Sequence, residues 1–375
     1  MNSEEYFYAI ALRECSQIGD IHFHKLVHTF GSAQEVWKRA KKEYKQLDGI
    51  GQKTVSDIGN TSHLEFAEDE LNFCEKNNIQ IRLKHLKETP SLLNECNDAP
   101  AILYQKGNIE NIQPKVSIVG TRNMTAYGKQ FLDDFFEATQ SSKYVTVSGL
   151  ALGIDKEVHE QSIRHQKPTV AVLAHGFKYL YPAKNRKLSE KILLEGGALI
   201  TEFSSSRKPD RENFIQRNRI VAGISPATIV VETGFGGGSV STAAFANDYN
   251  RDVFALPGKI TDSSSQGCNQ LIFHNKATAI STLKDLIGLL GLNEPKEKME
   301  ELFPYSETIL QLSDNQNLIY QSIKDQPQIS LDDLAQKIDL PTHKILPIIL
   351  ELELLGKVKS FSGRQFIAIK DLTIS

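Results

Sequence analysis

The sequence predicts an α/β protein whose core is a doubly wound parallel sheet. Three apolar, β-branched segments, each ending in a turn of small residues, carry this prediction: V-S-I-V-G-T-R (116–122), Y-V-T-V-S-G-L-A-L-G-I-D (144–155) and A-T-I-V-V-E-T-G-F-G-G-G-S (227–239). Each segment is typical of a strand buried on both faces of a sheet, and a helical pattern follows each turn. Since open α/β sheets bind ligands at the carboxyl ends of their strands, the turns predict a phosphate site.

Residues 1–85 show helical periodicity without strand alternation, which predicts a small all-α domain before the core. Within it, L-D-G-I-G-Q-K-T-V-S-D-I (47–58) places a turn of small residues at 49–51 between two expected helical stretches. This arrangement matches the helix-hairpin-helix pattern, in which backbone amides meet a DNA phosphate. Gly49, Gly51 and Lys53 are therefore candidates for an accessory DNA contact. The alternative is a tight turn used only for helix packing.

Residues 86–290 are predicted to form the core domain. Pro90, Pro100 and Gly107 punctuate its first segment, where we expect a linker and then an edge strand at 101–106. Strands and helices then alternate, as in right-handed βαβ units. The expected strands lie near 115–120, 144–148, 169–174, 197–201, 227–232 and 252–256, and the expected helices near 128–139, 155–166, 186–195, 213–223 and 239–249.

A polar, acidic stretch at 291–312 marks a second linker, and residues 313–375 are predicted to form a winged helix. Its three helices are expected at 313–324, 329–338 and 340–356, followed by two strands that flank residues 362–364. The third helix offers His343 and Lys344 against Glu351 and Glu353. This balance favours packing or protein contact over reading of the DNA major groove.

Charge is unevenly distributed although the net charge is only −3. Residues 101–287 carry 22 Lys and Arg against 17 Asp and Glu, and the basic residues cluster near 178–191 and 207–219. Such clustering predicts a polyanionic partner, whereas a solvated surface face is the alternative.

The sequence has no membrane-spanning apolar run, and its N-terminus is unlike a signal peptide. The scattered cysteines indicate a cytoplasmic protein, and His22, His24 and His28 lack the further ligand that a metal site needs.

The turns differ from known nucleotide motifs, so no cofactor is predicted. There is no G-x-x-x-x-G-K-[ST] sequence, and no turn has the G-x-G-x-x-G dinucleotide pattern. Small residues with bare amides or hydroxyls, together with nearby cations, are instead suited to individual phosphates. The candidates outside the helix at 213–223 are Gly120, Thr121, Arg122, Ser148, Gly149, Lys184, Asn185, Gly237, Gly238, Ser239 and Thr242.

Arg217, Asn218 and Arg219 lie inside an otherwise apolar helix and complete the candidate site. Residues 217 and 219 are about 200° apart on a helix. One arginine is therefore expected to face the ligand, while the other is paired with Glu202 or Glu232. In the alternative interpretation, both arginines are structural ion-pair partners.

Several blocks together resemble the DNA processing protein A (DprA/Smf) family. Besides the three strand and turn segments, they are L-Y-P-A-K-N-R-K-L (180–188), T-E-F (201–203), N-F-I-Q-R-N-R-I-V-A-G-I-S (213–225), A-L-P-G (255–258) and Q-G-C-N-Q-L-I (266–272). The resemblance implies that residues 86–290 form an extended Rossmann-like domain, and that the protein is a non-catalytic homodimer, formed through this domain. It also implies that the protein binds single-stranded DNA and loads a RecA-type recombinase during natural transformation, with no membrane partner. The N-terminal region is similar to the family's sterile-alpha-motif-like domain. One loop departs from the family, reading A-H-G-F-K-Y-L at 174–180 where many members have a glycine-rich sequence.

Two other functions are compatible with parts of the sequence. The turn at 236–242 also resembles lysine-decarboxylase-like enzymes that cleave the N-glycosidic bond of nucleoside monophosphates, with Glu232 and Arg219 in the catalytic positions. However, Ala246 stands where that pattern requires an acid. A protein-interaction scaffold without affinity for polyanions is the third interpretation. The aromatic residues available for base stacking are Phe177, Tyr179, Tyr181 and Phe235.

Overall fold

The computed structural model describes residues 3–39, 43–44, 49–51, 53–109, 114–292, 312–326, 329–355, 357–361 and 365–368. The chain divides into two compact units, Met1–Pro295 and Lys296–Ser375. The first unit contains the helical region and a large sheet, so the predicted boundary between them near residue 85 stays a prediction. None of the described helices is both long and apolar enough to cross a bilayer.

The described part of the N-terminal region contains four α-helices, which are α1 (Ser3–Glu14), α2 (Asp20–Phe30), α3 (Ala33–Lys38) and α4 (Thr61–Lys76). The Ser32 hydroxyl accepts a hydrogen bond from the Glu35 amide at the start of α3, and the Asn60 side chain caps α4 in the same way. The second helix expected after the Gly49 turn is absent from residues 53–59. Its place is taken by successive tight turns, in which the Thr54, Ser56 and Ile58 amides donate to carbonyls three residues earlier.

Among the described residues of the first unit, nine strands form one sheet in the order β1-β2-β6-β5-β4-β3-β7-β8-β9. They are β1 (Gln80–Leu83), β2 (Ile102–Gly107), β3 (Lys115–Val119), β4 (Val145–Ser148), β5 (Thr169–Val172), β6 (Ala198–Thr201), β7 (Ala227–Val230), β8 (Asp252–Ala255) and β9 (Thr278–Ala279). The prediction of an edge strand at 101–106 is wrong in its position, because β2 pairs antiparallel with β1 on one side and β6 on the other. The four-residue β1 takes the edge, and it is too short to interrupt the helical pattern of residues 1–85.

The remaining helices of the first unit cover both faces of the sheet. They are α5 (Ser91–Asn94), α6 (Ala126–Ala138), α7 (Ile154–Arg164), α8 (Arg186–Leu194), α9 (Arg211–Gly223), α10 (Gly238–Asp248), α11 (Gln266–Phe273) and α12 (Leu283–Leu289). Ile220 of α9 and Ala243 of α10 join one apolar cluster, whereas Phe135 of α6 and Val158 of α7 join another. The doubly wound α/β core is thereby confirmed.

The direction of the chain across the sheet reverses between β3 and β7. Strands β3 to β6 progress to one side, and strands β7 to β9 progress to the other. The loops that follow β3 and β7 diverge at this point, because their helices pack on opposite faces. A crevice at the carboxyl ends of the strands is the consequence, and ligands bind there in doubly wound folds.

The second unit is a winged helix, as predicted. Its elements are α13 (Asp314–Lys324), β10 (Ile329–Ser330), α14 (Leu331–Ile338), α15 (Thr342–Leu354), β11 (Val358–Phe361) and β12 (Gln365–Ala368). The strands form an antiparallel sheet in the order β10-β12-β11, and a Ser313/Gln316 capping box begins α13. Most of the predicted linker at 291–312 and the turn at 362–364 lie outside the described residues.

Candidate phosphate-binding cavity

A cavity of about 710 Å³ opens at the carboxyl ends of β3, β4 and β7, against the first turns of α9. Most of the residues predicted from sequence to bind phosphate meet here. The predicted residues that line the cavity are Gly120, Thr121, Arg122, Gly149, Arg217, Asn218, Gly237, Gly238, Ser239 and Thr242. They come from four separate chain segments, and the fold brings these segments together at one edge of the sheet.

Two glycines let the backbone of the cavity pack closely against its supports. A Cβ atom at Gly120 would lie 2.4 Å from Ile154, and one at Gly149 would lie 2.5 Å from the Arg217 guanidinium. Hydrogen bonds tie the loop after β3 to its neighbours, since the Thr121 amide donates to the Glu232 carbonyl at 2.6 Å and the Ile154 amide donates to the Thr121 carbonyl at 3.0 Å. The loops are therefore held in place by packing as well as by hydrogen bonds.

The N-terminus of α10 faces the cavity without a side-chain cap. Gly237 is the N-cap residue, and no side chain accepts a hydrogen bond from the first amides of the helix. Gly237, Gly238 and Ser239 all line the cavity. The positive end of the helix dipole also lies at this point. Asn218 reaches across from α9, where its side-chain amide donates to the Ser241 hydroxyl at 3.0 Å. This end of α10 is thus suited to an anion, whereas the start of α9 is already capped by Asp210.

Arg122, Arg211 and Arg217 are the basic residues that line the cavity. Arg122 is exposed, whereas Arg217 is buried and donates hydrogen bonds to the carbonyls of Gly149, at 2.6 Å, and Val172. Burial lowers the pKa of Arg217 to about 10, with the nearby Asp155 carboxylate opposing this shift. Arg217 therefore remains a cation at neutral pH, and it is fixed in one orientation by its carbonyl partners.

Phe214 lines the cavity, although it is not among the residues predicted from sequence. Its ring centroid lies 5.3 Å from the Arg122 guanidinium carbon and 5.9 Å from that of Arg217. Tyr181 packs edge-on against the ring at 5.6 Å and also lines the cavity. The signal was present, because Phe214 precedes Arg217 by three residues on α9 and shares its face. The other predicted stacking residues, Phe177, Tyr179 and Phe235, do not line the cavity.

Several predicted residues lie outside the cavity. The buried Ser148 hydroxyl donates to the Ile118 carbonyl, and the buried Asn185 amide donates to the carbonyls of Leu150 and Ala151. Asn185 thus stabilises the loop after β4, while its neighbour Lys184 is exposed on a 3₁₀ turn beside the cavity lining. The accessory candidates Gly49, Gly51 and Lys53 belong to a separate turn and do not contribute to the cavity.

Arg219 faces away from the cavity and forms an ion-pair cluster. Its guanidinium contacts the Asp20 carboxylate of α2 at 3.1 Å and the Glu202 carboxylate that follows β6. The expectation that one of the two arginines is paired with Glu202 or Glu232 matches this geometry, and the partner is Glu202. Arg219 is therefore placed to join the helical region to the sheet rather than to meet a ligand.

Comparison with known proteins establishes the family. Residues 80–291 match the model of DNA recombination-mediator protein A, and residues 304–364 match the DprA winged helix domain. The chain belongs to the DNA recombination-mediator protein A family. Protein Smf from Synechocystis sp. is 33% identical over 300 residues, which cover 78% of this chain and 74% of the relative. The DNA processing protein DprA of Bacillus subtilis is 38% identical over 202 residues, which cover 53% and 67% of the two chains.

Solved structures of two family members resemble this fold. The X-ray structure of DNA processing protein A from Streptococcus pneumoniae has a TM-score of 0.61 at 25% identity, and the match covers 76% of this chain and 98% of that chain. The Helicobacter pylori protein has a TM-score of 0.51 at 28% identity, with 56% and 95% covered, and its structure concerns a single-stranded DNA binding mode. The predicted family and fold are confirmed.

The geometry disfavours the glycosidase alternative, because Glu232 and Arg219 bind other residues of the protein and do not line the cavity. The Glu232 carboxylate accepts hydrogen bonds from the amide, at 2.9 Å, and the hydroxyl of Thr125, the N-cap residue of α6. Glu232 does not line the cavity, and Arg219 is held by Asp20 and Glu202.

Among the described residues, no group of three or more His, Cys, Asp or Glu side chains is placed to hold a metal ion.

Proposed function

We propose that this protein binds single-stranded DNA in the cavity at the carboxyl ends of β3, β4 and β7, and delivers the strand to a RecA-type recombinase during natural transformation. The observation that carries the proposal is the convergence of Arg122, Arg217 and the uncapped start of α10 on one cavity. Membership of the recombination-mediator family and the single-stranded DNA binding mode of the Helicobacter pylori protein support the same ligand.

The cavity offers separate places for phosphates and for a base. One phosphate would lie at the start of α10 and another at Arg122, while a base would stack near Phe214 and Tyr181. The exposed Lys184, Arg186 and Lys187 extend positive charge beyond the cavity along the strand. Few side chains are available to read base edges, so binding would tolerate any sequence.

A titration of matched single-stranded and duplex oligonucleotides tests the ligand. Fluorescence anisotropy should show tighter binding of the single strand, since bases stacked inside a duplex cannot reach Phe214. Equal affinity for the two forms would contradict the proposed cavity. Incubation with nucleoside monophosphates, followed by analysis for free base, tests the glycosidase alternative in the same preparation.

Delivery to the recombinase is measured separately from strand binding. Recombinase is added to a single strand that is already covered by a single-strand-binding protein, and filament formation is followed over time. The chain should shorten the lag before filaments grow. An unchanged lag, with normal strand binding, would remove the delivery step and leave the binding site intact.

A second copy of the chain is the proposed partner of an exposed apolar patch on the sheet domain. Phe235, Ile260 and Phe273 surround a shallow cavity of about 390 Å³. Exposed patches of this kind mark interfaces, and a two-fold contact would bury the same patch on both copies. Replacing Phe273 (80% exposed) with Arg should shift sedimentation toward the monomer, whereas Leu194→Arg (82% exposed), which lies outside the patch, should not.

A binding role fits the acids of the cavity better than a catalytic role. Among the residues that line it, the carboxylates belong to Asp155 and Asp210. Asp155 interacts with Arg217 and with the Ala151 amide, and Asp210 caps α9. Both carboxylates therefore have structural partners.

We also propose that the protein works in the cytoplasm, where the proposed DNA and recombinase partners would meet it. The four cysteines support this placement, because all are buried as free thiols.

A further inference from the structure

Helix α15 of the winged helix is apolar on two sides. Ile345, Ile349 and Leu352 are buried in the core of the second unit. Leu346, Leu350 and Leu354 repeat every four residues on the other side, with 42%, 58% and 82% of their surface exposed. Four-residue spacing places these three side chains on one face, where they form the outer leucine stripe of α15. A stripe of this kind is typical of a helix that packs against a partner.

Charged residues are arranged along α15 in a definite order. His343 and Lys344 lie in the first turn, whereas Glu351 and Glu353 lie in the last turns. The acids are held in place, since Glu351 accepts a hydrogen bond from the Gln316 side chain at 2.8 Å and Glu353 accepts one from the Ser360 amide at 2.7 Å. Fixed carboxylates beside the leucines would repel DNA phosphates, so the stripe is better suited to protein.

We propose that the outer leucine stripe packs antiparallel against the same stripe of a second copy of this chain, with Leu350 near the two-fold axis. In this arrangement Leu346 of one copy lies opposite Leu354 of the other. The cationic first turn of each helix then faces the acidic last turns of its partner. A parallel arrangement would instead place acids beside acids, so the charge order selects the antiparallel pairing.

This contact is separate from the proposed function, because it uses neither the cavity nor the apolar patch at Phe273. It gives each chain a second surface for self-association. If the contact formed within a dimer, it would strengthen the dimer through bivalency. If it formed between dimers, it would link neighbouring dimers along a DNA strand.

Disulfide trapping in the full-length chain tests the pairing. All four native cysteines are buried, so Leu350→Cys introduces an exposed thiol on the proposed two-fold axis. A disulfide requires Cα atoms within about 7 Å, so mild oxidation should link two copies of this variant into a covalent dimer. Leu318→Cys is the matched control, because Leu318 is similarly exposed (49%) but lies on α13, and it should give little covalent dimer.

A second substitution distinguishes specific pairing from random collision. Leu346→Arg in the Leu350→Cys chain places two cations in the contact and should lower the yield of covalent dimer about tenfold, as expected when like charges are brought together. Circular dichroism checks that each variant folds. Equal yields from Leu350→Cys and Leu318→Cys, or a yield that Leu346→Arg leaves unchanged, would overturn the proposal and assign the stripe to a different protein.

Discussion

Arg217 and Arg219 lie two positions apart on α9 and serve opposite sides of the helix. The Arg217 guanidinium contacts the Gly149 carbonyl at the cavity, whereas the Arg219 guanidinium contacts Asp20 and Glu202 beside the helical region. One helix therefore lines the proposed DNA site and also ties the N-terminal helices to the sheet. The two arginines should consequently respond to mutation in different ways.

Arg219→Ala should destabilise the protein without removing a contact to single-stranded DNA. The substitution leaves the Asp20 and Glu202 carboxylates without their shared cation, and breaking a buried ion pair in this way costs about 3–5 kcal/mol, which corresponds to a fall in Tm of roughly 10 °C. Thermal unfolding measures the loss. Strand affinity of the folded variant should stay within about twofold of the parent, which is small on the free-energy scale. A large loss of affinity at unchanged Tm would place Arg219 in the DNA site instead.

Arg122→Ala and Lys184→Ala should each weaken binding of single-stranded DNA, with the larger effect at Arg122. Arg122 lines the cavity, whereas Lys184 lies on the exposed turn beside it. Loss of a charge-assisted hydrogen bond to phosphate predicts about a tenfold decrease in affinity for Arg122→Ala. Anisotropy titrations measure both effects.

Lys143→Ala is the control for this pair. Lys143 is exposed just before β4, at the amino ends of the parallel strands, whereas the cavity lies at their carboxyl ends. Its affinity should equal that of the parent. If the double variant Arg122→Ala/Lys184→Ala bound single-stranded DNA with an affinity within about twofold of the parent, these residues would be excluded from the phosphate site.

Phe214→Ala should lower affinity while leaving the response to salt unchanged. Stacking of one base on an aromatic ring contributes about 1–3 kcal/mol, and this contribution does not release counterions. Arg122→Ala, in contrast, should reduce the salt slope by about 0.7, the contribution of one phosphate on a single strand. Phe214→Tyr keeps the ring and should retain most of the affinity. Parent-like binding by Phe214→Ala would show that the ring supports no base.

Binding to single-stranded DNA should weaken steeply with salt. If about four basic groups neutralise phosphates, the slope of log affinity against log salt concentration should be near −3. Titrations at several salt concentrations and with oligonucleotides of different sequence give the slope and its sequence dependence. A flat response would mean that stacking dominates over phosphate contacts.

Removing residues 313–375 should preserve most of the affinity for single-stranded DNA. The cavity and the basic clusters belong to the first unit, so a chain that lacks residues 313–375 retains them. The deletion should alter self-association or partner binding more than DNA binding. If the shortened chain folded by circular dichroism but lost more than about tenfold in affinity, or 1.4 kcal/mol, the winged helix would be a principal DNA-binding element.

The parallel core could be predicted closely from sequence, because each buried strand is a continuous apolar segment that ends in small residues. The predicted strand at 115–120 corresponds to β3, and the predicted helix at 213–223 corresponds to α9. The antiparallel edge was harder to predict. β1 has only four residues, and its pairing with β2 depends on a segment about twenty residues away in the chain.

For the site, residue type and turn position by themselves predicted Arg122, Gly149, Gly237 and Ser239 as phosphate-binding candidates, because strand ends and small residues are local properties. Local patterns also placed Arg217 and Arg219 on different sides of one helix. Only the tertiary structure decided which arginine meets the cavity, that the Asn185 side chain bonds to backbone carbonyls, and that the Phe214 ring lies within 6 Å of two guanidinium groups. The physical reason is that these roles depend on partners from other segments, namely Asp20, Leu150 and Arg122, and packing brings these partners together only in the folded chain.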